Sequence, residues 1–447
     1  MASRSIFRSY DIRGIFNKDF VAEDAEKIGY VMAGCVQRNV VVGMDMRASS
    51  VSMKKKLVSG INRAGFAAFD VGLVPMGVAM FYAWKRNMPL VYVTASHLPR
   101  EWAGMKFFHA DGRGFGEKEN NEIRDGFFAL GSMSINKNSV HVVDSDVAIR
   151  EYISYLTSRL KAKKKMRVAL DCGNGMASVV AKRLFTEAGF EVQGIYDALS
   201  ETPSRNSEPN IDPLTELRKS KKGMGIAYDG DADRMIIVDE SGGILGAEQS
   251  SYLILSKLAQ VEKGDIIANV ECSMSIEDIA RSFSRSVHRQ PVGHTFLVDA
   301  AHKLKACFGA ESAGHYIIPS LLPFDDAMAV SLYAAVALSE RDENLSDIAK
   351  HAKTYPFGRL GIDCSDDRKF AVIEKLKKMF PDAEMMDGVL VREAGGWALI
   401  RASNTSPMIR LTVEAKDEKT FVALKEKFSA ALKKVMKDSD AGQVQLV

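Results

Sequence analysis

Long apolar runs are scarce in this 447-residue chain. The longest, residues 327–338, falls short of the roughly 20 residues that a bilayer-spanning helix needs and carries Ser331 and Tyr333. It predicts a buried helix and no membrane segment. Residues 1–10 contain no continuous apolar stretch, which argues against a secretory leader. Cysteine is sparse and scattered: Cys35, Cys172, Cys272, Cys307 and Cys364 show no Cys-x-x-Cys spacing, and an odd number cannot pair completely. This excludes a disulfide scaffold and a thiolate zinc site, and it points to reduced cysteines in a cytoplasmic protein. Charge imbalance is missing too. With 60 Lys and Arg against 57 Asp and Glu, the net charge is +3, and neither nucleic acid nor a membrane surface is expected as a partner.

What is present is an ordinary globular composition over a length too great for one core, which suggests three or four domains. The first third alternates apolar runs with amphipathic stretches: strands at 40–44, 67–71 and 90–94, helices at 53–64 and 77–85. A helix at 148–160 and a lysine-rich linker at 161–165 follow. The alternation restarts with strands at 166–171, 190–195 and 224–228 and helices at 174–188 and 213–221. A third round has helices at 248–258, 276–281 and 326–339 and a strand at 266–270. From about Tyr355, strands at 360–364, 388–393, 397–402 and 408–415 and helices at 368–379 and 418–436 predict an α+β cap. The expected architecture is three tandem α/β domains with mixed sheets (1–147, 148–246, 247–354) and a cap (355–447) around a central cleft. No residue-level repeat is visible between the α/β units.

Four stretches carry chemistry. The first, Val91-Tyr-Val-Thr-Ala-Ser-His-Leu-Pro, ends a strand in small polar residues, where α/β sheets collect ligands. Ser96 is a candidate nucleophile or phosphate carrier beside His97, although an ordinary loop would look the same until an activating neighbour is found. In the second, Asp229, Asp231 and Asp233 alternate between two apolar runs. Such carboxylates repel unless a cation compensates them, and hard oxygen ligands suit Mg²⁺ or Ca²⁺. An EF-hand fits less well, because Arg234 stands where its sharp turn needs glycine. A solvated acidic turn is the bland alternative. The third, Cys307-Phe-Gly-Ala-Glu-Ser-Ala-Gly-His-Tyr, carries Glu311 and His315, which could bond sugar hydroxyls or sit in a plain inter-strand turn. In the fourth, Arg401 and Arg410 bracket Ser403, Asn404, Thr405 and Ser406 between strands. This makes either a phosphate cradle or a polar hairpin turn.

Taken together and in this order, the stretches resemble the α-D-phosphohexomutase family, the phosphomannomutases and phosphoglucomutases, over essentially the whole chain. Further matches are Phe7-Arg-Ser-Tyr-Asp-Ile-Arg-Gly, Gly104-Met-Lys, Asp171-Cys-Gly-Asn-Gly and the Val292-Gly-His-Thr turn. The resemblance implies that Ser96 is phosphorylated and, with Asp229, Asp231 and Asp233, coordinates Mg²⁺. Arg13, His97, Lys106 and Arg234 would balance the charge, with Lys106 and His97 in proton transfer, for which a lysine near neutral pH needs a lowered pKa. Gly293, His294, Glu311 and His315 would hold the sugar. Arg401, Ser403, Asn404, Thr405 and Arg410 would hold its unreacting phosphate. A hexose 1,6-bisphosphate would serve as intermediate and activator, and the chain would work on small phosphosugars as a monomer or homodimer.

The sequence departs from the family's usual pattern at Leu98, Ala103, Ala313 and Ser406, each removing or shrinking a polar group. The expected activity is interconversion of mannose or glucose 1- and 6-phosphates. Phosphoglucosamine mutase is the alternative, disfavoured because Ala232 stands where that group usually has glycine. A metal-dependent sugar phosphatase and a non-catalytic phosphosugar-binding paralogue are rivals from other classes.

Overall fold

The computed structural model describes residues 2–133, 140–220, 223–403 and 408–437. Strands β1 (Asp11–Ile15), β2 (Val40–Met44), β3 (Ala68–Leu73), β4 (Leu90–Val93), β5 (Trp102–Phe108) and β6 (Val140–Val142) form a sheet ordered β1-β5-β4-β2-β3-β6. Strands β4, β2, β3 and β6 are parallel, and β5 runs antiparallel to β4 and β1. The near-continuous apolar runs of β2 and β4 are buried, as expected of parallel strands with covered faces. A second sheet, β10-β9-β7-β8, comprises β7 (Arg167–Asp171), β8 (Glu191–Ile195), β9 (Met224–Tyr228) and β10 (Met235–Val238). A third, β12-β11-β13-β14, comprises β11 (Ile266–Asn269), β12 (Val287–Gln290), β13 (Phe308–Ala310) and β14 (Tyr316–Ile317).

Each of these three mixed sheets ends a parallel strand in an antiparallel hairpin: β4/β5, β9/β10 and β13/β14. The three turns carry Ser96, the aspartates and Glu311 respectively. Behind two of the hairpins lies a repeat that the sequence hides. Residues 108–119 and 238–249 share the bridges Phe108 to Gly114 and Val238 to Ile244, a glycine with positive φ at Gly112 and Gly242, and a helix entry closed by Glu119 on Gly116 N or Gln249 on Gly246 N. Backbone hydrogen bonds are conserved between the two while most side chains differ, so residue identity did not reveal it.

The last sheet, β15-β18-β17-β16, is wholly antiparallel: β15 (Phe357–Asp363), β16 (Val389–Glu393), β17 (Gly396–Ala402) and β18 (Met408–Ala415). Helices Asp366–Met379 and Glu418–Lys437 cover it and close a separate core. The first three units instead contribute to one continuous apolar cluster running from Val41 to Ala352. At its centre is helix Ala327–Ser339, buried along its full length, as the apolar run predicted.

Two predicted helices differ from expectation, and helices Ala22–Val36, Glu117–Ala129 and His294–Leu304 were not predicted. The helix predicted over 174–188 breaks into a 3₁₀ turn, Met176–Val179, and a helix, Ala181–Glu187, because Val180 leaves helical geometry at φ −131°. The one predicted over 213–221 shrinks to Thr215–Lys219 behind Leu214 at φ 49°.

Candidate active site

Ser96 sits in the β4/β5 turn with a left-handed backbone, φ 54°. Its N–H donates to Thr94 Oγ1 at 2.7 Å, and Arg47 ties the turn down by donating to the carbonyls of Ser96, Leu98, Pro99 and Trp102. Sequence reasoning missed Arg47. Because it grips main-chain oxygens, the turn is braced whatever side chain stands at Leu98. Gly230 packs on this turn so closely that a Cβ there would meet Ser96 O at 2.6 Å. That approach brings the Ser96 hydroxyl within 3.3 Å of Asp229 Oδ2, and the next side chain, His97, lies with Nδ1 3.2 Å from it.

The aspartate turn is wound by Asp229, whose Oδ1 accepts from the N–H of Asp233 and of Arg234, and by Ala232 at φ 65°. Asp229, Asp231 and Asp233 are buried and bring carboxylate oxygens within 4.8 Å of one another. Lys106, from β5, donates to Asp231 at 2.9 Å and Asp233 at 2.6 Å. Arg234 donates to Asp229, Glu208 and His97 Nδ1. Asp231 Oδ1 and Asp233 Oδ1 are buried without a hydrogen-bond partner, as is Arg13 NH1. Orphaned carboxylate oxygens beside a serine hydroxyl fit a small hard cation, and Mg²⁺ suits that donor set.

Burial and the charges of Asp233 and Asp231 push the Asp229 carboxyl well above the usual range. Burial would raise Asp233 too, but Lys106, His315 and Arg234 outweigh it and hold it well below. Lys106 itself is held above its ordinary value, since Asp231 and Asp233 outweigh its burial. The neighbouring carboxylates stabilise its charge, opposite in direction to the lowered lysine that proton transfer near neutral pH would need. His97 is the group kept neutral, by burial and then by Arg234 and Arg13.

Across the cavity, Glu311 Oε1 accepts from Gly293 N at 2.7 Å and Asn269 Nδ2 at 3.2 Å. Its turn rests on the aspartate hairpin, where Met235 N donates to Gly314 O. Arg401 and Arg410 are register partners on β17 and β18. Arg401 donates to Asp387 at 2.9 Å, and buried Glu271 lies between the arginines of the cap, held below its usual range because Arg359, Arg401 and Arg410 outweigh its burial. Lys369 holds Ser403 through its carbonyl. Arg359, Lys369 and Asp387 were not foreseen, and neither was Glu208. Asn404 and Thr405, like Ser406, lie outside the described residues.

One cavity of about 100 Å³ is lined by Arg13, Ser96, His97, Lys106, Asp233 and Arg234, and equally by Gly293, His294, Glu311, His315, Arg401, Ser403 and Arg410. Sequence models of the phosphoglucomutase/phosphomannomutase α/β/α domains I, II and III match residues 4–133, 150–243 and 240–355, and that of the C-terminal domain matches 361–431. A probable phosphoglucosamine mutase of Methanosarcina acetivorans is 31% identical over 424 residues, 92% of this chain and 96% of that protein. The chain belongs to the α-D-phosphohexomutase family. It is thus an isomerase-class phosphotransferase. A phosphoglucosamine mutase of Methanocaldococcus jannaschii is also 31% identical, over 94% of this chain and 97% of that one. A phosphoglucomutase/phosphomannomutase family protein from Burkholderia thailandensis superposes with a TM-score of 0.87 over 100% of both chains at 23% identity, a likeness of fold. Among the described residues of this phosphohexomutase, no helix is long and apolar enough to cross a membrane.

Proposed function

We propose that this phosphohexomutase interconverts glucosamine 6-phosphate and glucosamine 1-phosphate through phosphorylated Ser96 and a bisphosphorylated sugar. The observation that carries the reading is the single cavity joining Ser96 and its cations to an arginine anchor on the cap. A phosphatase has no need of that anchor, and a mere binder has no need of Lys106 and the aspartates behind the serine. The sugar follows the similarity to phosphoglucosamine mutases and reverses the preference for mannose and glucose. That preference leaned on Ala232, which is fully buried and does not line the cavity, so its side chain has no sugar to read. The working division remains 1–147, 148–246, 247–354 and 355–447.

In this reading Arg401, Arg410 and Ser403, with Asn404 and Thr405, hold the unreacting phosphate, and Glu311 accepts from sugar hydroxyls. The substrate hydroxyl oxygen attacks the phosphorus of phospho-Ser96 and the bond to Oγ breaks. His97, kept neutral, takes the hydroxyl proton and returns it to Oγ, while Lys106 keeps its charge beside the aspartates. Arg13 and Arg234 stabilise charge on the moving phosphoryl group. After the bisphosphate turns over, Oγ attacks the opposite phosphoryl group and the second monophosphate leaves. Mg²⁺, held by Asp229, Asp231, Asp233 and the Ser96 phosphate, would supply charge neutralisation there. The test offers purified protein, with Mg²⁺ and a trace of hexose 1,6-bisphosphate, the 1-phosphates of glucosamine, mannose and glucose separately. Highest kcat/KM on glucosamine 1-phosphate supports the reading. Preference for mannose or glucose restores the other sugar, and release of inorganic phosphate without an isomer overturns mutase activity.

A further inference from the structure

Two imidazoles on the sugar side of the cavity come from different elements. His294 opens helix His294–Leu304, and His315 ends the turn before β14. Their rings lie 5.3 Å apart, 18° from parallel. Stacked histidines do not set one another's rotation about the ring, so a third group must. That group is Asp325, 1% exposed, whose Oδ2 lies 2.9 Å from His315 Nδ1 and 3.4 Å from His294 Nδ1. Its own backbone is pinned by the next residue. Asp326 accepts from Met328 N and Ala329 N at the start of helix Ala327–Ser339 and from the Tyr152 hydroxyl.

An imidazole bound to a carboxylate through Nδ1 has its tautomer and tilt fixed and presents Nε2 on the opposite edge. Both rings line the cavity, and among the described residues neither Nε2 has a hydrogen-bond partner. Lys106 and Asp233 are among their charged neighbours, which places them near the Ser96 end of the cavity. Resting on the mutase reading, we infer that Asp325 is a positioning residue. It holds His294 and His315 so that the two Nε2 atoms together grip the hexose ring near its reacting end. One carboxylate thereby sets two substrate contacts contributed by two separate turns.

The experiment has two arms. Long-range ¹H–¹⁵N spectra of histidine-labelled, substrate-free enzyme should show two imidazoles with protonated Nδ1, both shifted in Asp325→Asn, whose thermal midpoint serves as the folding control. This arm stands whatever the sugar, so it decides the positioning claim even if the mutase reading fails. In the second arm, Asp325→Asn lowers kcat/KM for the preferred hexose phosphate by about 30-fold, the worth of two neutral hydrogen bonds, chiefly through KM. Added to His294→Ala/His315→Ala it lowers kcat/KM no further, because its effect runs through those rings. Unshifted imidazole signals, or a loss that multiplies with that of the double histidine variant, would overturn the proposal.

Discussion

The three α/β units and the cap are joined by different physics. Sheets one to three share one apolar core around helix Ala327–Ser339, and their hairpin turns pack backbone to backbone at Gly230 on Ser96 and Gly314 on Met235. The cap has its own core and meets the third unit through a small apolar cluster of Val270, Leu390, Trp397 and Leu399. Polar ties join them too: Glu414 accepts from Met274 N, Asp387 from Val292 N, and Arg359 donates to Glu271 and Ser312. Dense packing has few alternative arrangements, whereas these hydrogen bonds can be replaced by bonds to water once the two faces part, at small net cost. The difference teaches how one site could serve both ends of a sugar: the phosphoryl-transfer floor is fixed, and the anchor is held by contacts that can be remade.

The floor is broken most severely at its carrier. Ser96→Ala should abolish phosphate incorporation from labelled hexose 1,6-bisphosphate and lower turnover by several orders of magnitude, with the thermal midpoint kept. Normal labelling of that variant would assign the carrier elsewhere. Next comes Lys106→Met, which leaves buried Asp231 and Asp233 without their cation. Urea titration in EDTA should register a loss of about 3–5 kcal/mol, partly restored by Mg²⁺. An unchanged midpoint in EDTA would mean that the lysine does not balance the carboxylates.

The cap should respond differently. Arg401→Ala removes a buried guanidinium from the anchor, so kcat/KM should fall by roughly 30- to 150-fold, or about 2–3 kcal/mol, mostly in KM. A pure kcat loss would place Arg401 in the chemistry and erase the distinction between floor and anchor.

The shared core carries a pH dependence of its own. Asp326 caps the buried helix, and burial pushes its carboxyl up to about 7. The unfolded chain ionises near 3.9, so between roughly pH 4 and 7 the native state binds the extra proton and stability falls as pH rises. The stabilisation is complete below pH ~4 and lost above pH ~7. Asp326→Asn cannot ionise and keeps an oxygen for the cap. Its advantage over wild type in urea should be absent at pH 4 and reach on the order of 4 kcal/mol at pH 8. A pH-independent difference would contradict the raised carboxyl.

Legibility in the sequence followed the same divide between local and distant. Ser96, the three aspartates, Glu311 and Arg401 were readable as candidates because each stands in or beside a short turn whose neighbours announce chemistry. Arg47, Glu208, Asp325 and Asp387 were not, since each is a lone polar residue that acquires meaning through a partner far along the chain; Arg47 and the Ser96 carbonyl are 49 residues apart. Asp325 stands one residue before the helix predicted over 326–339, and only the fold aims it at two histidines. Most strands and the buried helix were legible from apolar runs. The helix break at Val180 was not, because no proline or glycine at that position marks it.

The smallest expected effect sharpens the comparison from the substrate's side. Ala313 lines the cavity between Glu311 and Gly314, in a turn fixed to the floor by the bond from Met235 N to Gly314 O. Ala313→Ser adds a hydroxyl without moving that turn, and one neutral hydrogen bond to a sugar oxygen is worth about 1 kcal/mol. KM should therefore drop up to ~5-fold for the sugar whose substituents reach residue 313, with kcat and labelling of Ser96 unchanged. A gain confined to one of the three hexose phosphates would show the fixed floor taking part in choosing the sugar. An equal gain on all of them would leave that choice to contacts elsewhere in the cavity.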